Sequence, residues 1–244
     1  MFYFFCKFYL NKMLTGNRNV DMLILSKLED VDLVNVCKVN KIANDLCNDQ
    51  GFWMNKILNK FPEVGLKTLK RYKRDRTWSE YYIDDLRLIN RNNAQEYLHS
   101  GSLNGRLDYV MIAKSLGADI RDQNYQAVIL ASGSGNLELV KYLVSLGADI
   151  RSENDESVTY AIYSGNLELV KYLVSLGADI RSQNDKAVIR ASGSGNLELV
   201  KYLVSLGANI RSHNNSPVRY ASESGKLDIV KYLISLGSPD PRNL

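Results

Sequence analysis

Apolar residues recur at helical spacing through most of the chain, in segments that are nearly identical. Residues 136–151 read NLELVKYLVSLGADIR, residues 166–181 repeat them letter for letter, and residues 196–211 change a single letter. Looser copies occupy residues 106–121 and 226–237, so that glycines recur every thirty residues from Gly105 to Gly225. A fixed period of about 20 to 50 residues indicates a repeat array.

The second half of each unit predicts a helix that is buried on most of its surface. Within residues 137–146 only Glu138, Lys141 and Ser145 are polar, and they share one stripe at helical spacing. An ordinary surface helix has a narrower apolar stripe, so this pattern indicates identical neighbours on both sides. Asn136 is predicted to cap the start of the helix, and Gly147 to end it.

The first half of each unit predicts a shorter helix with one seam of small apolar residues. A valine is followed three residues later by an alanine, as at Val158/Ala161, Val188/Ala191 and Val218/Ala221. Ser216 and Pro217 are a favourable helix start, because serine caps well and proline suits the first helical position. Asp155 and Asp185 are predicted to cap the earlier copies.

These units resemble the ankyrin repeat. Residues 216–222 (SPVRYAS) stand where that family carries its Thr-Pro-Leu-His-Leu-Ala-Ala segment, and residues 195–210 match its second helix and Gly-Ala-Asp-Val turn. The resemblance covers about residues 91–240 and implies an all-α, ankyrin-type helical solenoid of about five short repeats. Each unit is about three residues shorter than the usual 33, which predicts stunted connecting hairpins at residues 181–185 and their equivalents.

Residues 20–61 form a second kind of helical segment, which resembles the F-box. Residues 24–28 (ILSKL), 36–41 (VCKVNK) and 52–53 (FW) match its elements, whereas the family's leucine-proline opening is absent. The resemblance implies binding of a Skp-type adaptor and a cullin through this module, with candidate contact residues Leu23, Leu28, Leu33, Val36 and Trp53. The alternative interpretation is a helical cap for the array, which solenoids need.

The remaining segments are an N-terminal extension (1–19), a helical linker (62–92) and a tail (241–244), around the array at 93–240. The aromatic run at residues 1–10 is too short to span a bilayer, which takes roughly 20 residues. The linker is basic, with Tyr72 and Trp78 among its cations. Such spacing suits single-stranded nucleic acid, but so short a run is more typical of a solvated helix face.

No constellation of residues indicates catalysis, a cofactor or a metal. The histidines, His99 and His213, have no nucleophile or carboxylate that the sequence brings near them, and the Gly-Ser-Gly turns lack the lysine of a phosphate-binding loop. The three cysteines, Cys6, Cys37 and Cys47, are an odd set without metal-ligand spacing. We therefore expect reduced thiols in a cytoplasmic protein, with the nucleus as the alternative.

The units differ mainly in the turn and the first helix. These variable positions are predicted to line the groove of the array and to bind a partner protein: Tyr125, Gln126, Ile129, Leu130, Asp155, Glu156, Thr159, Tyr160, Tyr163, Lys186, Ile189, Arg190, Arg219, Tyr220 and Glu223. Packing constraint on the second helices explains the same asymmetry equally well, so both interpretations stay open.

An arginine also recurs once per unit, at Arg121, Arg151, Arg181 and Arg211. One interpretation is local pairing with nearby aspartates, worth at most about 1 kcal/mol per exposed pair. The other is a basic edge that faces an acidic partner.

The sequence therefore predicts a protein-binding adaptor that performs no chemistry itself. It is similar to the ankyrin proteins that large DNA viruses encode, some with F-box-like modules, which implies delivery of a host target to a cullin-type ubiquitin ligase. The alternative is a plain ankyrin scaffold or competitor. The mild net charge of +4 does not favour nucleic acid, and no membrane is expected. The last unit lacks a following repeat and is predicted to fray or self-associate.

Overall fold

The computed structural model describes residues 14, 15, 17–28, 33, 36, 37 and 41–243. These residues are helical, with turns between the helices and no strand among them, so the all-α prediction is confirmed. They divide into two compact units, one up to residue 94 together with 111–116, and the other of 95–110 and 117 onwards. The extension at 1–13 lies outside the described residues.

The first unit is built from short helices, three of which begin at side-chain caps. They are α1 (Arg18–Ser26), α2 (Lys41–Cys47), α3 (Gln50–Lys60), α4 (Leu66–Lys73) and α5 (Trp78–Glu80), which continues as a π-helix over Tyr81–Leu86. Asn17 caps α1, Asp49 caps α3, and Thr77 with Glu80 forms a capping box at α5. The buried centre contains Leu25, Leu33, Trp53, Ile57 and Tyr82, among others.

A disulfide joins Cys37 to Cys47 in this unit. The prediction of reduced thiols is wrong for this pair, because the fold brings two cysteines ten residues apart to a Cα–Cα distance of 5.9 Å, within the range that a disulfide spans. The carbonyl of Cys47 also accepts a hydrogen bond from Trp53 Nε1 at 2.6 Å. The end of α2 is therefore attached both to the preceding segment and to the buried tryptophan of α3.

Five helix pairs follow one another along residues 94–235. The first helices are α6 (Ala94–Leu103), α8 (Asp122–Gly133), α10 (Ser152–Ser164), α12 (Ser182–Ser194) and α14 (Ser212–Glu223). The second helices are α7 (Leu107–Ser115), α9 (Leu137–Ser145), α11 (Leu167–Ser175), α13 (Leu197–Ser205) and α15 (Leu227–Ser235), and a 3-10 turn follows at Pro241–Asn243. Successive first helices from α8 to α14 pack side by side, and each packs on its own second helix.

An asparagine at the start of each middle second helix has two structural roles. Asn166 Oδ1 accepts a hydrogen bond from the backbone N–H of Leu169, which confirms the predicted cap type. Its Nδ2 also donates to the carbonyl of Gly135 in the preceding pair at 2.8 Å. Asn136 and Asn196 make the same two bonds in their own pairs. This asparagine ladder ties each pair to the one before it.

The turn that opens each first helix is left-handed. Three consecutive residues have positive φ in each of four pairs: 123–125, 153–155, 183–185 and 213–215. Left-handed backbone costs most residues about 1–2 kcal/mol, and asparagine is among the few that adopt it readily. The middle residue of every triplet is an asparagine: Asn124, Asn154, Asn184 and Asn214. The shortened connection between units takes this conformation in place of a hairpin.

The two aspartates at the ends of these turns bind the next turn. Asp155 Oδ1 accepts from the backbone N–H of Asp179 at 3.1 Å, and Asp185 Oδ1 from that of Asn209 at 2.9 Å. The prediction that they cap their own helices is therefore wrong, because their carboxylates point to a turn 24 residues further on. In the last pair the equivalent backbone belongs to Pro239, which has no N–H to donate.

Candidate functional site

The exposed face of the first helices carries large side chains at two repeat positions, one shared by Leu130, Tyr160, Arg190 and Tyr220 and the other occupied by Tyr163. We call it the first-helix strip and define it by Leu130, Tyr160, Tyr163, Arg190 and Tyr220. Tyr163 is 52% exposed and Tyr220 46%, whereas Leu130 and Tyr160 are half-buried. All five residues belong to the variable half of the units.

Side chains of neighbouring helices contact each other along the strip. Gly133 lies beneath the ring of Tyr160, since a Cβ built on this glycine would lie 3.0 Å from the ring. Tyr163 occupies the position of Gly133 in the next repeat, and the guanidinium of Arg190 lies over its ring, 4.9 Å from the centroid. Gly193 in turn lies beside Tyr220. Where this position is a glycine, the tyrosine of the next first helix packs against it. Where it is Tyr163, Arg190 of the next first helix packs over the ring.

The strip also contains an edge-to-face aromatic pair. The rings of Tyr160 and Tyr163 are 6.3 Å apart at an angle of 70°. Such pairs contribute about 0.5–1.5 kcal/mol beyond the area that they bury. The rings are thus held in place by each other, by Gly133 and by Arg190 before any partner binds.

A family model described as "Ankyrin repeats (3 copies)" matches residues 98–184 and 158–243, which together are more than half of the chain. The chain belongs to the ankyrin-repeat family. No curated protein matches the chain. In the described part of the chain, no helix has the length and apolar character needed to cross a bilayer.

Some residues predicted to line the groove of the ankyrin array are buried. Ile129, Thr159 and Asp155 lie in the interior, and Ile189 is half-buried. Burial at these positions cannot be deduced from the sequence, because buried and exposed positions of the first half of the unit vary alike. Ile129, Thr159 and Asp155 therefore cannot contact a partner, and the set of candidate residues narrows accordingly.

The other predicted groove residues lie at the surface or partly so. Tyr125, Gln126, Glu156 and Lys186 are half-buried, and Lys186 Nζ donates to Gln183 Oε1 at 2.9 Å. Arg219 and Glu223 are exposed on α14. They border a cleft of about 420 Å³ whose other lining residues are Asn214, Asn215, Ser222 and Pro241.

Leu103 was missed by the sequence analysis. It occupies the position of α6 that is equivalent to Gly133 and Tyr163, and it is exposed. Extending the comparison of variable positions to the divergent first ankyrin repeat would have found it.

Two of the arginines that recur once per repeat, Arg151 and Arg181, form local ion pairs. The Nε of Arg151 lies 3.4 Å from Asp155 Oδ1, and the Nε of Arg181 lies 3.5 Å from Asp185 Oδ1. Arg211 donates to the carbonyl of Gly237. The sequence hypothesis paired these arginine side chains with Asp149 and Asp179. In the structure those two carboxylates accept from the backbone N–H of Arg151 and of Arg181.

His99 does have a carboxylate neighbour, contrary to the sequence analysis. Its Nε2 lies 3.5 Å from Asp122 Oδ2 and 3.3 Å from the side-chain nitrogen of Gln95. Neither contact is a nucleophilic hydroxyl or thiol. Within the described residues, no group of histidine, cysteine and acidic side chains could hold a metal.

The F-box-like candidates separate into exposed and buried residues. Leu23 on α1 is 58% exposed and Leu28 is half-buried, whereas Leu33, Val36 and Trp53 are buried. The last three therefore support the module from within and do not contact a partner in this conformation. Val20 and Ile42 are further exposed apolar residues of the same module.

Proposed function

We propose that this protein is a non-catalytic adaptor whose ankyrin repeats bind a target protein through the first-helix strip. The observation that carries the proposal is the composition of that strip. Tyrosine and arginine are enriched among the residues that contribute most binding energy in protein interfaces. Two tyrosines are about half exposed here, and the sequence varies at these positions while the second helices stay constant.

We further propose that residues 20–61 link the captured target to a cullin-type ubiquitin ligase through a Skp-type adaptor. This part rests on the F-box resemblance. The similarity to the ankyrin proteins of large DNA viruses further implies a viral protein acting in the host cytoplasm. It is supported by the exposure of Val20 and Leu23, three residues apart on α1, while Asp21 and Leu25 on the same helix are buried. Exposed apolar side chains on a short, capped helix offer a contact surface.

The second candidate function is a plain ankyrin scaffold or competitor, in which the N-terminal helices only stabilise the fold. The burial of Leu33, Val36 and Trp53 favours it, because these residues have a structural explanation without a partner. Both candidates use the first-helix strip in the same way. They differ in whether α1 binds an adaptor.

A pull-down with a purified Skp-type adaptor and cullin separates the two candidates. The full chain is compared with Leu23→Asp and with Leu88→Asp, a matched control because Leu88 is an equally exposed leucine of the same unit, at 56%. Capture that is lost only with Leu23→Asp supports the ligase adaptor. Absence of capture by the folded full chain leaves the scaffold.

Target binding by the array is tested separately. The full chain and the variants Tyr163→Ala and Tyr220→Ala are used as affinity baits, with Tyr172→Ala as a tyrosine control on a second helix. Proteins retained by the full chain and the control but lost by both strip variants support the proposal. Identical retention by all four baits contradicts it.

A further inference from the structure

The tyrosine rings of the first-helix strip present unused hydrogen-bonding groups. Within the described part of the chain, the hydroxyls of Tyr160, Tyr163 and Tyr220 neither donate nor accept a hydrogen bond. By contrast, Tyr82 in the first unit accepts from Lys60 Nζ at 3.3 Å. An apolar ring with a free hydroxyl at its rim suits a partner that combines apolar surface with exposed carbonyl groups.

The spacing of the strip selects the conformation of such a partner. Its residues lie on helices that pack side by side, and packed helices are about 8–10 Å apart. A polyproline II segment repeats every three residues, or about 9.3 Å, so one side chain per turn can meet each helix. A β-strand repeats at about 6.6 Å and an α-helix at about 5.4 Å, and neither period matches the helix spacing.

The polyproline II conformation also meets the hydrogen-bonding requirement. It makes no internal hydrogen bonds, so its carbonyl groups remain free to accept from tyrosine hydroxyls. Aromatic-lined grooves bind proline-rich segments at a low entropic cost, because the segment is already extended before it binds.

Arg190 sets the charge of the partner at one position. Its guanidinium lies over the ring of Tyr163, 4.9 Å from the centroid, and no ion pair joins it to a carboxylate within the described residues. The planar guanidinium keeps its edge donors available for a carboxylate while its face stacks on an aromatic ring. Arg219, on the neighbouring first helix, adds a second exposed cation. Glu223 at the end of α14 would repel an acidic residue of the partner. We therefore expect the acidic residue opposite Arg190 and away from the end of α14.

We propose that the first-helix strip binds a proline-rich segment in the polyproline II conformation, with a glutamate or aspartate opposite Arg190. This inference rests on the proposed function of the array and names the chemistry of its partner. In the complex, side chains three residues apart contact Leu130, Tyr160 with Tyr163, Arg190 and Tyr220 in turn.

The test uses the full chain and the fluorescein-labelled peptide Pro-Pro-Leu-Pro-Pro-Leu-Pro-Pro-Glu-Pro-Pro-Leu-Pro-Pro in an anisotropy titration. We expect saturable binding that weakens at least tenfold in Tyr163→Ala and in Arg190→Glu, because each removes a central contact. Tyr172→Ala is the matched control: Tyr172 also carries a cation over its ring, Lys141 Nζ at 5.4 Å, but lies on a second helix. It should bind as the unmodified chain does.

Two peptide changes test conformation and charge independently. Replacing every proline by glycine retains the glutamate but removes the preformed helix, and should abolish binding. Replacing the glutamate by lysine should weaken binding about tenfold, and Arg190→Glu should restore it. Circular dichroism of each variant confirms that it is folded.

The proposal is overturned if the peptide does not bind, if the glycine peptide binds equally, or if Tyr163→Ala and Arg190→Glu have no effect. These failures are distinct from failure of the proposed function. A target whose capture depends on Tyr163 and Tyr220, together with no binding of the peptide, would leave the array as a protein-binding module with a different partner.

Discussion

The helix pairs α12–α13 and α14–α15 share most of their second-helix residues but differ in what covers them. Val200 of α13 is fully buried, whereas the equivalent Val230 of α15 is only half-buried. Leu197 is half-buried, whereas Leu227 is 67% exposed. The same letter at the same position of a repeat thus has a different environment, because burial in a solenoid depends on the next repeat.

The first helices of the two pairs differ in sequence as well. Arg219 of α14 replaces Ile189 of α12, and Asn215 replaces the buried Asp185. The 3-10 turn at Pro241–Asn243 also contacts α14. The open face of the last pair is therefore polar on its first helix and apolar on its second. The predicted apolar face is smaller than the sequence indicated, because Ile229 and Leu233 are buried within their own pair.

Hydrogen exchange should show the largest difference between an internal pair and the last one. We expect amides of residues 216–237 to exchange by openings that cost less free energy than those of residues 156–177, because only one side of the last pair is covered. Mass-spectrometric exchange on the monomeric full chain measures both. Equal protection would show that the tail and the polar first helix stabilise the last pair as well as a repeat does.

Removing the same side-chain atoms from both pairs should have unequal effects. Val200→Ala deletes two buried carbons and leaves a cavity, so we expect a loss of about 2 to 3 kcal/mol in the free energy of unfolding. Val230→Ala should cost less than about 1 kcal/mol, since part of that side chain already meets water. Denaturant unfolding of both variants provides the comparison, and equal losses would contradict it.

The asparagine ladder is broken naturally in the last pair, where Lys226 replaces the asparagine and makes no side-chain cap. Asn166→Ala should cost about 1 to 2 kcal/mol, through loss of the cap and of the bond to Gly135. Asn166→Asp keeps the oxygen that caps the helix but replaces the donor by an acceptor facing the Gly135 carbonyl, so it should retain only the contribution of the cap. Conversely, Lys226→Asn should raise the melting temperature, and a lowered one would contradict the role assigned to the ladder.

The left-handed turns predict a smaller effect at their middle residue. Asn184→Val should cost about 1 kcal/mol, because a β-branched residue is unfavourable at φ 59° and asparagine is not. Asn184→Gly should be neutral or slightly stabilising, since glycine adopts this conformation freely. Thermal unfolding of the two variants tests the turn conformation itself; a better tolerated valine would argue against it.

The smallest effect is expected in the tail that follows the last pair. The hydrogen bonds that Arg242 donates from its guanidinium and backbone N–H lower the pKa of Asp240 from its ordinary 3.8 to about 2. The contribution of this contact to stability is therefore present above about pH 4 and is lost as the pH falls through about 2. An NMR titration of the side-chain carboxyl should show the shift. Arg242→Gln should raise the pKa toward its ordinary value but leave the part that comes from the backbone N–H of residue 242.

The sequence alone determined the repeat period, the helix pairs, the asparagine caps and the buried second helices. These features follow from the spacing of apolar residues and from the conformational preferences of single residues. Both can be recognised within the sequence of one repeat. The five residues of the first-helix strip were also among the predicted positions, because they lie in the half of the unit that varies. The ankyrin family was recognisable from the repeated helix and turn sequences.

Only the tertiary structure decided which variable positions are surface. Ile129 and Thr159 vary like Tyr160 and Tyr163, yet they are buried. Likewise Asp155 binds a backbone group 24 residues away. The disulfide between Cys37 and Cys47 lies in the first unit, where the sequence has no repeat from which the fold could be predicted. Burial and long-range hydrogen bonds depend on how two elements pack against each other. The sequence of one repeat does not show which side chains of the next repeat will lie against it.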